Sequence, residues 1–199
     1  MKIVVVGGTG TIGRLVVTTL RTRHETVAVG NTSGDRQVDV KDGDSIRQLF
    51  KQTGRFDALI STAGKAYFGA FAALTEREVA IGLNDKLMGQ VNLVLIGRDY
   101  ISDNGSFTLT SGILSYDPVP HGACLSLVNG ALDAFVRAAA IELPPGLRIN
   151  AVSPGLLDES AHALGGCFPG HKTVPGQRVA NAYAKSVEGR LTGHVFKIF

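Results

Sequence analysis

Cysteine is scarce in this sequence of 199 residues, which contains only Cys124 and Cys167. The two form no Cys-x-x-Cys pair, so the sequence offers neither a disulfide framework nor a paired redox or metal motif. Two free, partly buried thiols fit a reducing compartment. We therefore expect a cytoplasmic protein.

Long hydrophobic runs are absent as well. No stretch approaches the roughly 18 consecutive apolar residues that indicate a membrane-spanning helix. The apolar run at residues 2–6 is short and leads directly into a glycine turn, which does not fit a signal peptide. We expect no membrane partner.

The sequence lacks a strong excess of either charge. Lys and Arg total 20 against 17 Asp and Glu, and the basic residues are scattered along the chain. This balance argues against a nucleic-acid partner, which would require a clustered basic surface. The five histidines are dispersed, and no two have ligand spacing with a carboxylate, so we expect no metal site.

Short apolar runs and amphipathic segments alternate along the chain. Strands are predicted at 2–6, 26–30, 37–40, 57–61, 106–111, 147–153 and 194–199, and helices at 11–23, 44–54, 85–100, 122–142 and 176–188. This alternation predicts an α/β fold, a parallel sheet with helices on both faces. No repeat, low-complexity stretch or long linker divides the chain, so residues 1–199 are predicted to form a single domain.

A glycine-rich turn joins the first strand to the first helix. It reads Val-Val-Gly-Gly-Thr-Gly-Thr-Ile-Gly at 5–13 and places Gly7, Gly10 and Gly13 three residues apart. Glycines there permit a tight turn, close approach of a pyrophosphate to the backbone and close helix–strand contact. The helix N-terminus offers free N–H groups to a phosphate. This context predicts a dinucleotide-binding site.

The end of the second strand bears on the choice of dinucleotide. A carboxylate at this point would bond the adenosine ribose and favour NAD, but the strand ends in glycine. Asn31, Thr32 and Ser33 can donate to a phosphate, and Arg36 is near. NADP(H) is therefore favoured over NAD(H). Asp35 argues for the opposite preference, although it lies several residues beyond the strand.

Further segments resemble the short-chain dehydrogenase/reductase family, and they occur in the family's order. The matching segments are Asp39-Val40 after the third strand, Ser-Thr-Ala-Gly at 61–64, the fifth strand ending in Ser111, the run from Gly130 through Arg-Ile-Asn-Ala-Val-Ser-Pro-Gly to Gly155, and the final strand within 191–199. Together they cover nearly the whole chain.

The resemblance implies a seven-stranded, doubly wound Rossmann sheet that binds NAD(P) and acts on a small-molecule substrate. It also implies a homodimer or homotetramer assembled through the helices near 85–100 and 122–142. The cofactor-binding positions that follow from the glycine-rich turn, the second strand and the family segments are Gly7, Thr9, Gly10, Thr11, Ile12, Gly13, Asn31, Thr32, Ser33, Asp39, Val40, Ser61, Ala63, Gly64, Pro154 and Gly155.

The family's catalytic pattern is broken at its centre. Its tyrosine, which transfers the proton, aligns with Leu125, and the lysine four residues later aligns with Asn129. Its asparagine on the preceding helix aligns with Lys86, whereas its serine is retained as Ser111. Lysine and asparagine thus exchange helices, and a cation at Lys86 could still stabilise an alkoxide. Equally, Lys86 could be a surface lysine and Asn129 a buried, hydrogen-bonded amide.

The proton donor is left open by the sequence, with Tyr116, Tyr67, His121 and water as candidates. Tyr116 is included in the catalytic set together with Ser111, Lys86 and Asn129. The short segment at 156–177 favours a small or open site. Two functions are consistent with these residues: a reductase of small carbonyls with an altered active site, or a dinucleotide-binding sensor or interaction protein without turnover.

Overall fold

A computed structural model describes residues 1–199, and its centre is a seven-stranded parallel sheet of order β3-β2-β1-β4-β5-β6-β7. The strands are β1 (Lys2–Val6), β2 (Glu25–Gly30), β3 (Arg36–Gln37), β4 (Phe56–Ser61), β5 (Ile101–Thr110), β6 (Arg148–Pro154) and β7 (Val195–Ile198). The order reverses between β1 and β4, and in such sheets ligands bind at the carboxyl ends beside this reversal. The predicted α/β Rossmann fold is confirmed.

Seven helices surround the sheet. They are α1 (Thr11–Arg21), α2 (Gly43–Thr53), α3 (Glu76–Gly82), α4 (Met88–Gly97), α5 (Ala123–Glu142), α6 (Ala161–Leu164) and α7 (Gly176–Glu188). A single π-helical turn, Leu83–Leu87, joins α3 to α4 without a break in direction. Such turns are rare and are frequently found at functional sites.

Both faces of the sheet are covered, as the near-continuous apolar strands require. Val4 and Val6 of β1 belong to a buried cluster under α2, α4 and α5. Ile3 and Val5 belong to the cluster under α1 and α7. The alternation along one strand follows from the two-residue repeat of β structure. The two clusters contain 18 and 17 buried residues, so the two faces are packed about equally.

Three element boundaries differ from the sequence-based expectations. The third strand is only Arg36–Gln37, so Asp39 and Val40 lie in the turn before α2. The helix expected from residue 85 begins at Glu76, where Glu78 accepts a bond from the Thr75 N–H (3.2 Å) in a capping box. β5 begins at Ile101 rather than at 106. Its first residues pair irregularly with β4, and regular pairing begins at Ser106.

Two helical stretches, Glu76–Gly97 and Ala123–Glu142, are long and apolar enough to cross a membrane by length and composition alone. Core helices of soluble proteins meet the same measure, so this finding is weak and the absence of a membrane partner stays a prediction. Within one chain only 33% of each apolar stretch is buried. Leu95 and Leu127 are among the large apolar side chains left exposed.

Candidate active site

A cavity of about 270 Å³ opens at the carboxyl ends of the central strands. Its wall consists of Ile12, Thr62, Ala63, Gly64, Lys86, Thr110, Ser111, Gly112, Ile113, Leu114, Leu125, Asn129, Pro154, Gly155, Leu157 and Phe168. Most of these follow β4, β5 or β6 directly or lie on the helices beside them. The structure therefore brings Lys86, Ser111 and Asn129, three of the four predicted catalytic residues, to one cavity.

A larger cavity, about 680 Å³, lies at the opposite end of the sheet. Arg148 is its most deeply set cation, but its guanidinium already donates to the carbonyls of Ser186 (2.7 Å) and Val187 (2.8 Å). Because these contacts join β6 to α7, this arginine has a structural role. The carboxyl-end cavity is the better candidate, since it gathers the unpaired polar groups described below.

The glycine-rich turn forms a cradle that tolerates no side chain. A Cβ atom at Gly13 would lie 2.0 Å from the Gly7 carbonyl oxygen, and one at Gly7 would lie 2.6 Å from Thr62 Oγ1. Gly7 also has a φ of +84°, a conformation that strongly favours glycine. Hydrogen bonds from Gly7 N to Val29 O (2.8 Å) and from Gly10 N to Gly7 O (2.9 Å) fix the turn.

Helix α1 begins without a side-chain cap. Gly10 precedes it, and the first helical backbone bond runs from Arg14 N to Gly10 O. By contrast, Asp42 caps α2 by accepting from Asp44 N at 2.9 Å. The backbone N–H groups of the first turn of α1, including that of Ile12, thus have no partner in the chain. An open cradle with free N–H groups fits a dinucleotide pyrophosphate.

The loop after β2 turns sharply beside this cradle. A Cβ at Gly30 would lie 2.5 Å from the Ser33 carbonyl oxygen and 2.6 Å from Thr9 Oγ1. Asn31, Thr32 and Ser33 are exposed. The Asp35 carboxylate instead accepts from the Ala28 N–H (2.9 Å), which commits it to the backbone of β2.

Asp39 and Val40, two of the predicted cofactor-binding residues, lie in the turn after β3. Asp39 is half-buried, and its Oδ1 accepts from Lys41 N at 3.0 Å. Val40 packs against α4, where a Cβ at Gly89 would lie 2.9 Å from Val40 Cγ2. Ala63 and Gly64, which follow β4, line the cavity, whereas Ser61, the last residue of β4, is buried with an unpaired Oγ. Pro154 and Gly155 line it from the end of β6.

Lys86 lies on the π-helical turn, which is held against the loop after β4. Gly64 has a φ of +128°, and a Cβ there would lie 2.7 Å from Lys86 Cα, so only glycine permits this contact. The Lys86 ammonium donates to the Ser111 carbonyl oxygen at 3.0 Å. Lys86 is half-buried. This burial lowers the pKa of Lys86 to about 8, against the opposing attraction of Asp133.

Ser111 and Asn129 present unsatisfied polar atoms beside this ammonium. Each residue is 2% exposed, and neither Ser111 Oγ nor Asn129 Oδ1 has a hydrogen-bond partner within the chain. Buried polar atoms are nearly always paired, so unpaired atoms at a cavity indicate a place for a polar ligand or a water molecule.

Leu125 occupies the position that the resemblance predicts for the tyrosine. It packs on a small apolar cluster formed by Ile113, Leu114 and Val119, with Phe68 and Phe168 against the same cluster. These residues come from three separate loops around the cavity. Leu125 therefore contributes to an apolar wall at the mouth of the site.

The structure does not bring the tyrosine and histidine candidates to this cavity. Tyr116 is 37% exposed, and its ring lies 3.7 Å from Lys197 Nζ, next to Phe199. Partial burial raises the pKa of Tyr116, and the nearby Asp133 adds to the rise. Tyr67 does not line the cavity, and His121 is exposed with its ring 6.3 Å from that of Phe68.

The segment 156–177 covers one side of the site. Leu157 bridges to Val174, and Phe168 reaches the cavity wall. His171 Nε2 lies 3.1 Å from Asp117 Oδ2 in the loop after β5, at an angle unsuited to a hydrogen bond. These contacts join the covering segment to the loop that carries Ile113 and Leu114.

Asp133 is a buried acid outside the set of predicted site residues. It is 2% exposed; its Oδ2 accepts from Ser115 Oγ at 3.0 Å, and its Oδ1 has no partner within the chain. The signal was present, because Asp133 follows Asn129 by one helical turn on the same face of α5. A carboxylate on the buried face of an apolar helix is rare without a partner.

Comparisons with known proteins agree with this geometry. The family model described as enoyl-(acyl carrier protein) reductase matches residues 13–179. The crystal structure of the protein lin1944 from Listeria innocua is 44% identical over the full length of both chains, with a TM-score of 0.99. A small-chain dehydrogenase solved in complex with NADPH is 28% identical with a TM-score of 0.86, covering 100% of this chain and 96% of its own.

Curated relatives match over a shorter range. A versicolorin reductase of Emericella nidulans is 32% identical over 127 residues, which is 61% of this chain and 48% of the relative. A 3-ketodihydrosphingosine reductase of Bacteroides thetaiotaomicron is 30% identical over 125 residues, 59% of this chain and 46% of the relative. The chain thus spans about half the length of these relatives. Because the family model matches most of this chain, the chain belongs to the short-chain dehydrogenase/reductase family, whose members bind nicotinamide cofactors.

Proposed function

We propose that this protein is an NADP(H)-dependent reductase of small carbonyl compounds that works with an altered active site. The observation that carries the proposal is the convergence of Lys86, Ser111 and Asn129 on one cavity, beside a glycine cradle with free N–H groups.

The chain's own residues suffice to hold the cofactor. Gly7, Gly13 and the first turn of α1 would hold the pyrophosphate, and the residues around Asp39 and Val40 would hold the adenine side. When bound, the cofactor supplies a hydride to the carbonyl carbon. The preference for NADP(H) is supported by the exposed Asn31, Thr32 and Ser33 and by the engagement of the Asp35 carboxylate with the Ala28 N–H.

Ser111 and Lys86 act on the carbonyl oxygen. The unpaired Ser111 hydroxyl can donate to that oxygen, and the Lys86 ammonium stabilises the negative charge that develops there. Asn129 orients the cofactor ribose or a relay water through its unpaired Oδ1.

Lys86 is also the group best suited to deliver the proton. An acid works best when its pKa is close to the operating pH, and the Lys86 pKa of about 8 meets this condition. Tyr116, one of the donor candidates from the sequence, has its ring against Lys197 and Phe199 instead. In the reduction, one proton passes from Lys86 Nζ to the alkoxide oxygen as carbon gains the hydride, and solvent later returns a proton to the amine.

The cavity selects small, apolar substrates. Its volume is about 270 Å³, and Leu125, Ile113, Leu114, Leu157 and Phe168 supply apolar surface around the polar groups. A carbonyl with short hydrocarbon substituents matches this lining, because a polar substituent would lose its hydration without gaining a partner.

Consumption of NADPH with a panel of small aldehydes and ketones tests the proposal, with Lys86→Met and Ser111→Ala as variants. Lys65→Met is the matched control, since Lys65 is exposed on a neighbouring loop. We expect turnover by the wild type and by the control, and losses of about 10²-fold or more in both variants. Turnover in both variants equal to that of the wild type would reject the catalytic assignment.

A dinucleotide-binding sensor without turnover is the second candidate. Leu125 favours it, because an alkyl side chain transfers no proton and instead builds the apolar wall. Both candidates require the glycine cradle, so cofactor binding does not separate them. No turnover across the carbonyl panel, together with tight cofactor binding, would favour the sensor.

We further propose that the protein is a cytoplasmic homodimer or homotetramer. Its two cysteines are free, and Cys124 is buried. The exposed faces of α4 and α5 carry Leu95, Leu127 and Ala134. Small residues permit close helix approach, and a closed symmetric assembly would cover these apolar faces.

A further inference from the structure

Behind the cavity wall, α5 carries Asp133, a buried carboxylate whose charge needs hydrogen-bond donors or a nearby cation to stabilise it. Asp133 is 2% exposed and receives one hydrogen bond, from the Ser115 hydroxyl, whereas its Oδ1 has no partner within the chain. A single neutral donor is weak compensation for an ionised carboxylate in such a place.

Lys86, in turn, has fewer hydrogen-bond acceptors around it than its ammonium can use. Its ammonium can donate three hydrogen bonds, and the structure gives it one acceptor, the Ser111 carbonyl oxygen at 3.0 Å. Asp133 and Lys86 lie more than 4.0 Å apart, so they form no direct ion pair, but the carboxylate attracts the ammonium through the intervening protein. Asn129, one turn before Asp133 on α5, has its own unpaired Oδ1 and lines the cavity with Lys86.

Other ionisable groups lie on the elements that pack against the π-helical turn of Lys86. They are Asp85 and Glu78 on the α3–α4 stretch, Lys65 on the loop after β4, Tyr116 and Asp117 on the loop after β5, and Arg137 on α5. Asp85 Oδ1 accepts a hydrogen bond from the Lys65 backbone N–H at 3.0 Å, and Glu78 accepts one from the Thr75 backbone N–H. Asp117 faces His171. Burial lowers the pKa of Lys86, and of these carboxylates Asp133 is the one that opposes this lowering.

We propose that Asp133 is a positioning residue for the reaction: its buried carboxylate keeps the Lys86 ammonium charged and held toward the Ser111 side of the cavity. The inference rests on the proposed function, in which Lys86 serves the substrate carbonyl. Asp133 itself touches neither substrate nor cofactor. Its charge offsets the cost of burying a cation and favours the return of a proton from solvent to Lys86 after each proton transfer.

The first test is a titration of Lys86 by NMR in the cofactor-free protein, which needs no turnover. The ¹³Cε signal of Lys86, assigned with Lys86→Arg, is followed against pH in the wild type, Asp133→Asn and Asp133→Glu. We expect the Lys86 pKa to fall by about one pH unit in Asp133→Asn and to stay near the wild-type value in Asp133→Glu. Asp117→Asn, the same change at an exposed neighbouring carboxylate, is the control and should leave the Lys86 pKa unchanged.

A wild-type measurement covers the case in which Asp133→Asn does not fold. The ¹³Cγ signal of Asp133 reports whether its carboxylate is ionised while Lys86 titrates. A neutral Asp133 carboxyl at that pH overturns the proposal, and so does an unchanged Lys86 pKa in a folded Asp133→Asn protein.

The pH profile of kcat/KM for NADPH-dependent reduction separates this inference from the proposed function. In Asp133→Asn the alkaline side of the kcat/KM profile should move to lower pH, because it follows the lowered pKa of Lys86. A merely structural role of Asp133 would not move it. A limb that stays in place in an active variant rejects the role of Asp133 but leaves the reductase intact. A wild type without turnover rejects the reductase, whereas the NMR titrations still decide whether Asp133 sets the charge of Lys86.

Discussion

The Lys86 ammonium donates to the backbone carbonyl of Ser111 across 3.0 Å, and this contact joins the π-helical turn before α4 to the end of β5. It places a cation beside a serine hydroxyl that has no partner within the chain. The contact requires Gly64, because any side chain there would collide with Lys86 Cα. The glycine after β4 therefore helps to determine where the charge of the site lies.

The rate of carbonyl reduction should depend on pH through Lys86. Reduction needs the protonated ammonium, and the Lys86 pKa is about 8. We therefore expect kcat/KM for reduction to fall as the pH rises through about 8, and alcohol oxidation to rise over the same range, because oxidation needs the neutral amine. Initial rates in both directions from pH 6 to 10 test this. A reduction rate that stays level to pH 10 would exclude Lys86 as the acid.

Gly13→Val should abolish dinucleotide binding. A Cβ at this position would lie 2.0 Å from the Gly7 carbonyl oxygen, so α1 would have to move away from the turn that receives the pyrophosphate. Titration calorimetry with NADP(H) measures the loss, and circular dichroism checks the fold. Gly166→Ala is the control, since a Cβ at Gly166 meets nothing within 4 Å. A folded Gly13→Val protein with unchanged affinity would remove the glycine cradle from the site.

The cofactor preference should follow the side chains after β2. We expect NADP(H) to bind about tenfold or more tightly than NAD(H), because a charge-assisted hydrogen bond to the 2′-phosphate contributes about 1.5–3 kcal/mol. Asn31→Asp places a carboxylate close to the end of β2 and should reverse the preference by repelling that phosphate. Calorimetric titrations of both proteins with both cofactors decide the matter. Equal affinities in the wild type would contradict the prediction.

Light scattering at micromolar concentration should give a multiple of the 20.9 kDa chain mass. Leu127 is 50% exposed on α5, so Leu127→Glu should weaken the assembly by burying a charge at the helix interface. Leu164→Glu introduces the same change at an exposed leucine on α6 and should leave the mass unaltered. A wild type that scatters as a single chain would refute the assembly.

The sequence predicted the fold well because its apolar runs and amphipathic helices have clear periods. The glycine cradle was also predictable, since the spacing of Gly7, Gly10 and Gly13 between a strand and a helix has a physical purpose. By contrast, the early start of α3 depends on a capping interaction at Thr75, which a search for apolar spacing overlooks.

The polar centre of the site was predictable only in part. Ser111, Lys86 and Asn129 were found through the family resemblance, and they line one cavity. The place of Tyr116 depended on how the loop after β5 packs against Lys197 and Phe199, a contact between distant parts of the chain. Asp133 was missed because its spacing of one turn from Asn129 indicates a buried position only once that face of α5 is known to be buried.

An exchange of residues across the cavity provides the most direct test of the altered site. The double variant Lys86→Asn/Asn129→Lys moves the cation from the π-helical turn to α5, one turn from Asp133. Because that carboxylate has an unpaired oxygen, it can stabilise the new lysine. Asn129→Lys alone would put two ammonium groups in one small cavity, so we expect that single variant to be less stable than the double variant in thermal unfolding.

Adding Leu125→Tyr to the double variant completes a Tyr-x-x-x-Lys pair on α5. Leu125 is half-buried at the cavity mouth, where a phenol can project past the apolar cluster toward the Ser111 hydroxyl. A positioned acid typically contributes 10²–10⁴-fold to a rate, so we expect the triple variant to consume NADPH at least about 10²-fold faster than the double variant. The comparison is made at saturating cofactor, with binding confirmed by calorimetry. A folded, cofactor-binding triple variant no faster than the double variant would show that Leu125 does not occupy the proton-transfer position.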